Sequence, residues 1–62
     1  MNNYNDAFNM AMDMLNQSGT DDTLGIRSAL KEAGSQHGIK YGPDMIAFVY
    51  WAETKMGLTN DE

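Results

Sequence analysis

Four residues in the middle of the chain are the best candidates for a ligand site. Arg27 and Lys31 share one face of a predicted helix, because residues four apart are neighbours on a helix, and Lys40 and Tyr41 follow in the next loop. Such a set could bind a phosphate, a nucleotide or an acidic partner. No glycine-rich phosphate-binding loop accompanies it, so an anionic ligand is one alternative and a solvated basic face is the other.

His37 is the only histidine of the chain, and it does not predict catalysis. A catalytic histidine needs a nucleophile and an orienting carboxylate within reach. Ser35 lies two residues away, and side chains at that spacing point in different directions on a helix. We therefore interpret His37 as a helix-end residue that interacts with the last carbonyl groups, and we expect no enzymatic activity.

Metal and cofactor sites are not predicted either. The chain has no cysteine and a single histidine, which leaves no ligands for a thiolate or histidine-rich metal site. Several oxygen-bearing side chains lie close together in sequence, but they lack the alternating acids, central glycine and closing glutamate of a calcium loop. They are Asp13, Asn16, Asp21 and Asp22. We expect neither a metal nor a cofactor.

The charge balance narrows the class of partner. Nine acidic and four basic residues give a net charge of -5. Nucleic acids and anionic membranes both attract strongly basic surfaces, so we disfavour both as partners. The charges are also segregated, because residues 1–23 hold four aspartates and no base, whereas residues 24–40 hold three of the four bases. A chain with this pattern can fold back on itself or pair with a second copy.

No targeting or membrane segment is recognisable in the sequence. Residues 1–6 carry no positive charge and no apolar stretch of the kind found in a signal peptide. The longest apolar run covers residues 45–52, whereas a membrane-spanning helix needs about 20 apolar residues. We expect a cytoplasmic protein, in the host cell cytoplasm if it is viral.

The spacing of apolar residues predicts an all-α domain of three helices, over residues 4–18, 22–37 and 44–56, with short loops. The chain has 62 residues, so we treat it as a single helical domain with residues 1–3 and 59–62 as frayed tails. A domain of this size has a marginal core. We therefore expect it to be oligomeric or bound to a partner.

Glycine and proline mark the ends of the predicted helices. Gly19, Gly38 and Gly57 each follow a helix, where a glycine commonly terminates it. Pro43 suits the first turn of the third helix. Gly34 interrupts the second helix and could end it early, although Gly38 is the better stop.

The third predicted helix carries apolar residues on all of its sides. Such a helix must be buried all round, and two amphipathic helices cover only part of it. Either it is the central helix, with the polar tips of Tyr50 and Trp51 at the surface, or its surplus face docks a second copy or a partner. In the second case the predicted partner-binding residues are Ile46, Phe48, Tyr50 and Trp51, with Phe8 and Met12 of the first helix. A β-strand over residues 45–51 is less favoured, because no second strand is available to pair with it.

These observations favour a non-enzymatic protein–protein interaction module. Its mechanism would be steric, because a small acidic protein can block or redirect a larger host protein by occupying its surface. The composition is typical of small accessory proteins of bacteriophages, which is an association of composition and not a family resemblance. One alternative is a structural or assembly subunit that forms a homo-oligomer, and another is an anion- or nucleotide-binding oligomer.

Overall fold

A computed structural model of the chain describes residues 3–58. It consists of three helices, α1 (Asn3–Ser18), α2 (Thr23–Gln36) and α3 (Pro43–Lys55). The all-α prediction is confirmed, and each predicted helix boundary lies within one residue of the observed one. The alternative of a strand over residues 45–51 is wrong, since α3 covers them. Of the predicted tails, residues 1–2 and 59–62 lie outside the described residues, and Asn3 is the first residue of α1.

A single apolar stripe fixes the inner face of α1. Ala7, Ala11 and Leu15 recur at a spacing of four and are all buried, as expected for the inward face of an amphipathic helix. The helix ends at Ser18. Gly19, which follows, has a φ of 69°, and its N–H donates to the Leu15 carbonyl oxygen at 2.8 Å. A residue with a side chain rarely adopts this left-handed conformation, so the glycine stop is confirmed.

Both ends of α2 are capped by groups within the chain. The Asp22 carboxylate accepts a hydrogen bond from the backbone N–H of Gly25 at 3.0 Å, which satisfies one of the free donors at the helix start. At the other end, the Ile39 N–H donates to the Gly34 carbonyl oxygen at 2.9 Å, and Gly38 has a φ of 86°. This is the Schellman arrangement, and it leaves the Ile39 side chain buried in the core.

Proline and glycine mark the two ends of α3. Pro43 occupies its first turn, where the missing proline N–H costs nothing. The helix ends before Gly57, which has a φ of 77°, and the Leu58 N–H donates to the Glu53 carbonyl oxygen at 2.8 Å. Residues 3–58 contain no helix that is long and apolar enough to cross a membrane.

The first two helices run antiparallel. They are joined by a short linker, and the Asn3 side-chain amide at the start of α1 donates to the His37 carbonyl oxygen at the end of α2, at 2.9 Å. The second and third helices are antiparallel as well. Arg27, in the first half of α2, is bonded to Glu53 near the end of α3. The result is an up-down-up bundle with α3 packed against both other helices.

Gly34 lies inside α2 and does not end it. A Cβ atom at this position would lie 3.0 Å from the Met45 Sδ atom and 3.2 Å from Phe48 Cδ2, closer than ordinary van der Waals contact. Met45 and Phe48 are among the largest fully buried side chains of the core. The glycine costs about 1 kcal/mol of helix propensity, and in return it lets these two side chains of α3 pack directly against the α2 backbone.

This contact predicts a large difference between two adjacent positions on α2. Gly34→Leu should lower the free energy of unfolding by at least about 2 kcal/mol, because the added side chain has no space among buried neighbours. Ser35→Leu, on the exposed side of the same helix turn, should change it by less than about 0.5 kcal/mol. Urea denaturation followed by circular dichroism measures both, and equal stabilities would contradict the close packing.

Candidate functional site

An open groove of about 290 Å³ runs between α2 and α3. Its floor is formed by the buried side chains of Met45 and Val49. One wall is provided by Ile46 and Tyr50, which are 71% and 58% exposed. The other residues that line the groove are Arg27 and Lys31 from α2 and Glu53 from α3.

Helix geometry explains why these residues meet. Arg27 and Lys31 are four residues apart on α2, and Ile46 and Tyr50 are four apart on α3, so each pair occupies one face of its helix. The antiparallel register is set where Arg27 meets Glu53. Four residues further along α2 therefore correspond to four residues back along α3, which places Lys31 between the levels of Ile46 and Tyr50.

The Arg27–Glu53 ion pair closes one end of the groove. The Arg27 Nε atom donates to the Glu53 Oε2 atom at 2.6 Å, and Glu53 is only 5% exposed. The hydrogen bond to Glu53, together with its negative charge, raises the pKa of the Arg27 guanidinium above its usual value. Arg27 is thus already paired with Glu53 of the same chain. Lys31 has no ion-pair partner among residues 3–58, so it carries the uncompensated positive charge of the groove.

Glu53 is a site residue that the sequence analysis missed. It follows Val49 by four residues and so continues the buried face that begins at Met45. An acid at such a position needs a base on the neighbouring helix, because an unpaired buried charge is strongly unfavourable. That spacing was the available signal, although it does not distinguish Arg27 from Lys31 as the base on the neighbouring helix.

A cluster of aromatic rings lies on the other side of α3, against α1. The Trp51 ring centroid lies 5.1 Å from that of Tyr4 and 5.8 Å from that of Phe8, and Tyr4 also contacts Phe48 at 5.2 Å. The Lys55 Nζ atom lies 5.1 Å from the Trp51 ring centroid, in a cation–π contact. These rings fasten α1 to α3.

The six residues predicted to bind a partner do not form one surface. Ile46 and Tyr50 are exposed and line the groove. Phe48 is fully buried, and this corrects its assignment as an accessible anchor, because its ring fills the space beside Gly34. Trp51 and Phe8 are half-buried and contact each other. The sixth residue, Met12, is half-buried on α1 and packs against the core.

The four residues predicted to bind an anion are divided as well. Arg27 and Lys31 line the groove, but Lys40 and Tyr41 lie in the loop between α2 and α3 and do not. Because Lys40 and Tyr41 lie outside the groove, the four residues do not line one pocket. His37 is the C-cap residue of α2, as its helix-end interpretation predicts, and its backbone N–H donates to the carbonyl oxygens of Ala33 and Gly34.

Comparison with known proteins returned no similar protein: no family model, no curated protein and no solved structure matches the chain. Within residues 3–58, no group of three histidine, aspartate or glutamate side chains is placed to hold a metal ion.

The aromatic cluster predicts opposite roles for two consecutive residues of α3. Trp51→Ala should lower the free energy of unfolding by about 2–4 kcal/mol, because it removes ring contacts to Tyr4, Phe8 and Phe48. Tyr50→Ala should change it by less than about 0.5 kcal/mol, since the Tyr50 side chain is exposed. Chemical denaturation followed by circular dichroism at 222 nm compares the two variants. A Trp51→Ala variant as stable as Tyr50→Ala would contradict the role of Trp51 in packing α3 against α1.

Replacing one partner of the Arg27–Glu53 ion pair should destabilise the protein more than replacing both partners. Arg27→Met should lower the melting temperature, because it leaves the buried Glu53 carboxylate without its partner. Adding Glu53→Met to that variant should raise the melting temperature again, since an apolar pair in a buried position avoids the desolvation of a charge. Thermal unfolding of the two variants is the measurement, and a double variant less stable than Arg27→Met would contradict this account.

Proposed function

We propose that this chain is a non-enzymatic protein-interaction module, and that the α2–α3 groove is its binding surface. The observation that carries the proposal is the exposure of Ile46 and Tyr50, one helix turn apart, above an apolar floor and beside Lys31. Exposed apolar side chains that cluster beside polar ones are characteristic of interaction sites. Tyrosine is also among the residue types that contribute most to interface energy.

The size of the groove sets the expected strength of binding. Full burial of the Ile46 and Tyr50 side chains would contribute roughly 2–4 kcal/mol, because each already hides part of its surface. Association itself costs several kcal/mol of lost translational and rotational freedom. A partner therefore needs further contacts, with the groove floor and with Lys31, and the interaction belongs to the weak or transient class unless its partner is large.

A binding role also fits the chemistry of the described residues. Binding requires a shaped apolar surface with a charge at its edge, and both are present in the groove. A steric mechanism, in which the module blocks or redirects a larger host protein, would need nothing beyond such binding. That mechanism and a bacteriophage origin are proposals that rest on composition.

Site-specific photo-crosslinking tests the binding surface. Tyr50 is replaced by p-benzoylphenylalanine, and the protein is irradiated in the cell that naturally produces it. We expect a discrete covalent adduct with a protein, because a bound chain must lie against the Tyr50 ring. The adduct should disappear when Ile46→Asp is added, since a charge in the groove wall opposes apolar binding.

Tyr41 supplies the matched control for this experiment. It is an exposed tyrosine in the loop outside the groove, so the same probe at Tyr41 should give no adduct or a different one. The absence of any adduct at Tyr50, or identical adducts at both positions, would contradict the proposed function.

A further inference from the structure

We propose that the partner of the α2–α3 groove is an acidic, amphipathic segment of another protein, in which an aspartate or glutamate lies on the same face as a large apolar side chain. The inference rests on the proposed function, because it names the chemistry of the partner that occupies the same groove. The two sides of the groove differ in chemistry, and each side specifies one part of that segment.

The α2 side of the groove carries a local positive charge. Arg27 and Lys31 lie one helix turn apart, and both line the groove. The acidic residue among those that line it is Glu53, so two cations and one carboxylate leave a net charge of +1 there. The whole chain has a net charge of -5. The groove therefore attracts an anion on a protein that is otherwise acidic.

The Arg27 guanidinium keeps hydrogen-bond donors available although it is paired. Its contact with Glu53 is made through the Nε atom, which leaves the N–H donors of both Nη atoms. These donors have no further hydrogen-bond partner among residues 3–58, and the Arg27 side chain is 51% exposed. A guanidinium that one carboxylate holds in place can thus bind a second carboxylate through its Nη donors.

Lys31 provides the second contact for the same anion. It is exposed, it lies one turn after Arg27, and it has no ion-pair partner among residues 3–58. A carboxylate placed between the two side chains would accept hydrogen bonds from both. Hydrogen bonds between a cation and a carboxylate are about twice as strong as those between neutral groups, so this pair of bases specifies the acidic part of the segment.

The α3 side of the groove specifies the apolar part. Ile46 and Tyr50 form its wall, and Met45 and Val49 form its floor. Because Lys31 lies between the levels of Ile46 and Tyr50, a segment that brings a carboxylate to Lys31 lays its neighbouring side chain against this apolar surface. The groove is open and has a volume of about 290 Å³, whereas pockets that enclose a small molecule usually have about 300–1,000 Å³. A chain segment that extends beyond the groove fits it better.

A short acidic segment also fits better than an extended polyanion. Nucleic acids and anionic membranes present many charges and attract broad basic surfaces. The other two bases of the chain are Lys40 and Lys55. Lys40 lies in the loop outside the groove, and Lys55 contacts the Trp51 ring on the other side of α3. The basic surface is therefore local, and it matches one carboxylate beside an apolar side chain.

Carbodiimide crosslinking tests for the carboxylate at Lys31. This reagent joins an amine to a carboxylate in contact with it, and the water that is lost hydrates the carbodiimide to a urea. The protein captured by the Tyr50 probe is purified, mixed with the wild-type chain, treated with the reagent and digested. We expect mass spectrometry to find Lys31 joined to an aspartate or glutamate of that protein, with a large apolar residue within about four positions of it. Lys40 is exposed outside the groove, so it is the internal control and should form no such bond.

Charge reversal tests whether this contact contributes to binding. Lys31→Glu should weaken binding of the captured protein at least about tenfold, because it sets a carboxylate against the carboxylate of the partner. Lys31→Arg keeps the positive charge and should bind like the wild-type chain. Lys40→Glu changes the net charge by the same amount outside the groove and should also bind like the wild-type chain. Isothermal titration calorimetry measures the dissociation constants.

The outcomes separate this inference from the proposed function. A captured protein that forms no bond with Lys31, or that binds the Lys31→Glu variant as tightly as the wild-type chain, overturns the acidic segment and leaves the groove as a binding surface. Capture of a second copy of this chain overturns it too, since the occupant is then not another protein. If the Tyr50 probe captures no protein, the proposed function fails, and this inference fails with it.

Discussion

The close packing of α2 against α3 at Gly34 determines where the other parts of the bundle can lie. Without a side chain at this position, Met45 and Phe48 reach the α2 backbone, and a Cβ atom here would lie closer to them than ordinary van der Waals contact. This contact and the Arg27–Glu53 ion pair lie at opposite ends of the α2–α3 interface. Together they fix the register that places Lys31 beside Ile46 and Tyr50.

The two sides of α3 perform different tasks with similar residue types. Tyr50 and Trp51 are consecutive, large and aromatic, yet Tyr50 is exposed in the groove and Trp51 packs against Tyr4 and Phe8 of α1. A rotation of about 100° per residue separates them. A 62-residue chain has few residues available for its core. In this chain α3 contributes side chains both to the core and to the wall of the groove.

The sequence predicted the elements well and their contacts poorly. Helix boundaries follow from local signals that are readable in the sequence, namely the spacing of the apolar residues, the glycine stops and Pro43. The buried residues of α3 share one face by their spacing. Because the other sides of α3 are also apolar, the sequence alone does not say which face is buried. The sequence therefore places Phe48 among the partner-binding residues, and it does not reveal that Gly34 allows close contact between two helices.

Trp51 has a practical value that follows from its place in the bundle. It is the only tryptophan of the chain, its ring is held between α1 and α3, and it does not line the groove. Its fluorescence therefore reports whether α1 is docked against α3. It should respond little to a molecule bound in the groove, on the other side of α3. Opening of the bundle can thus be followed in an unlabelled sample without interference from binding in the groove.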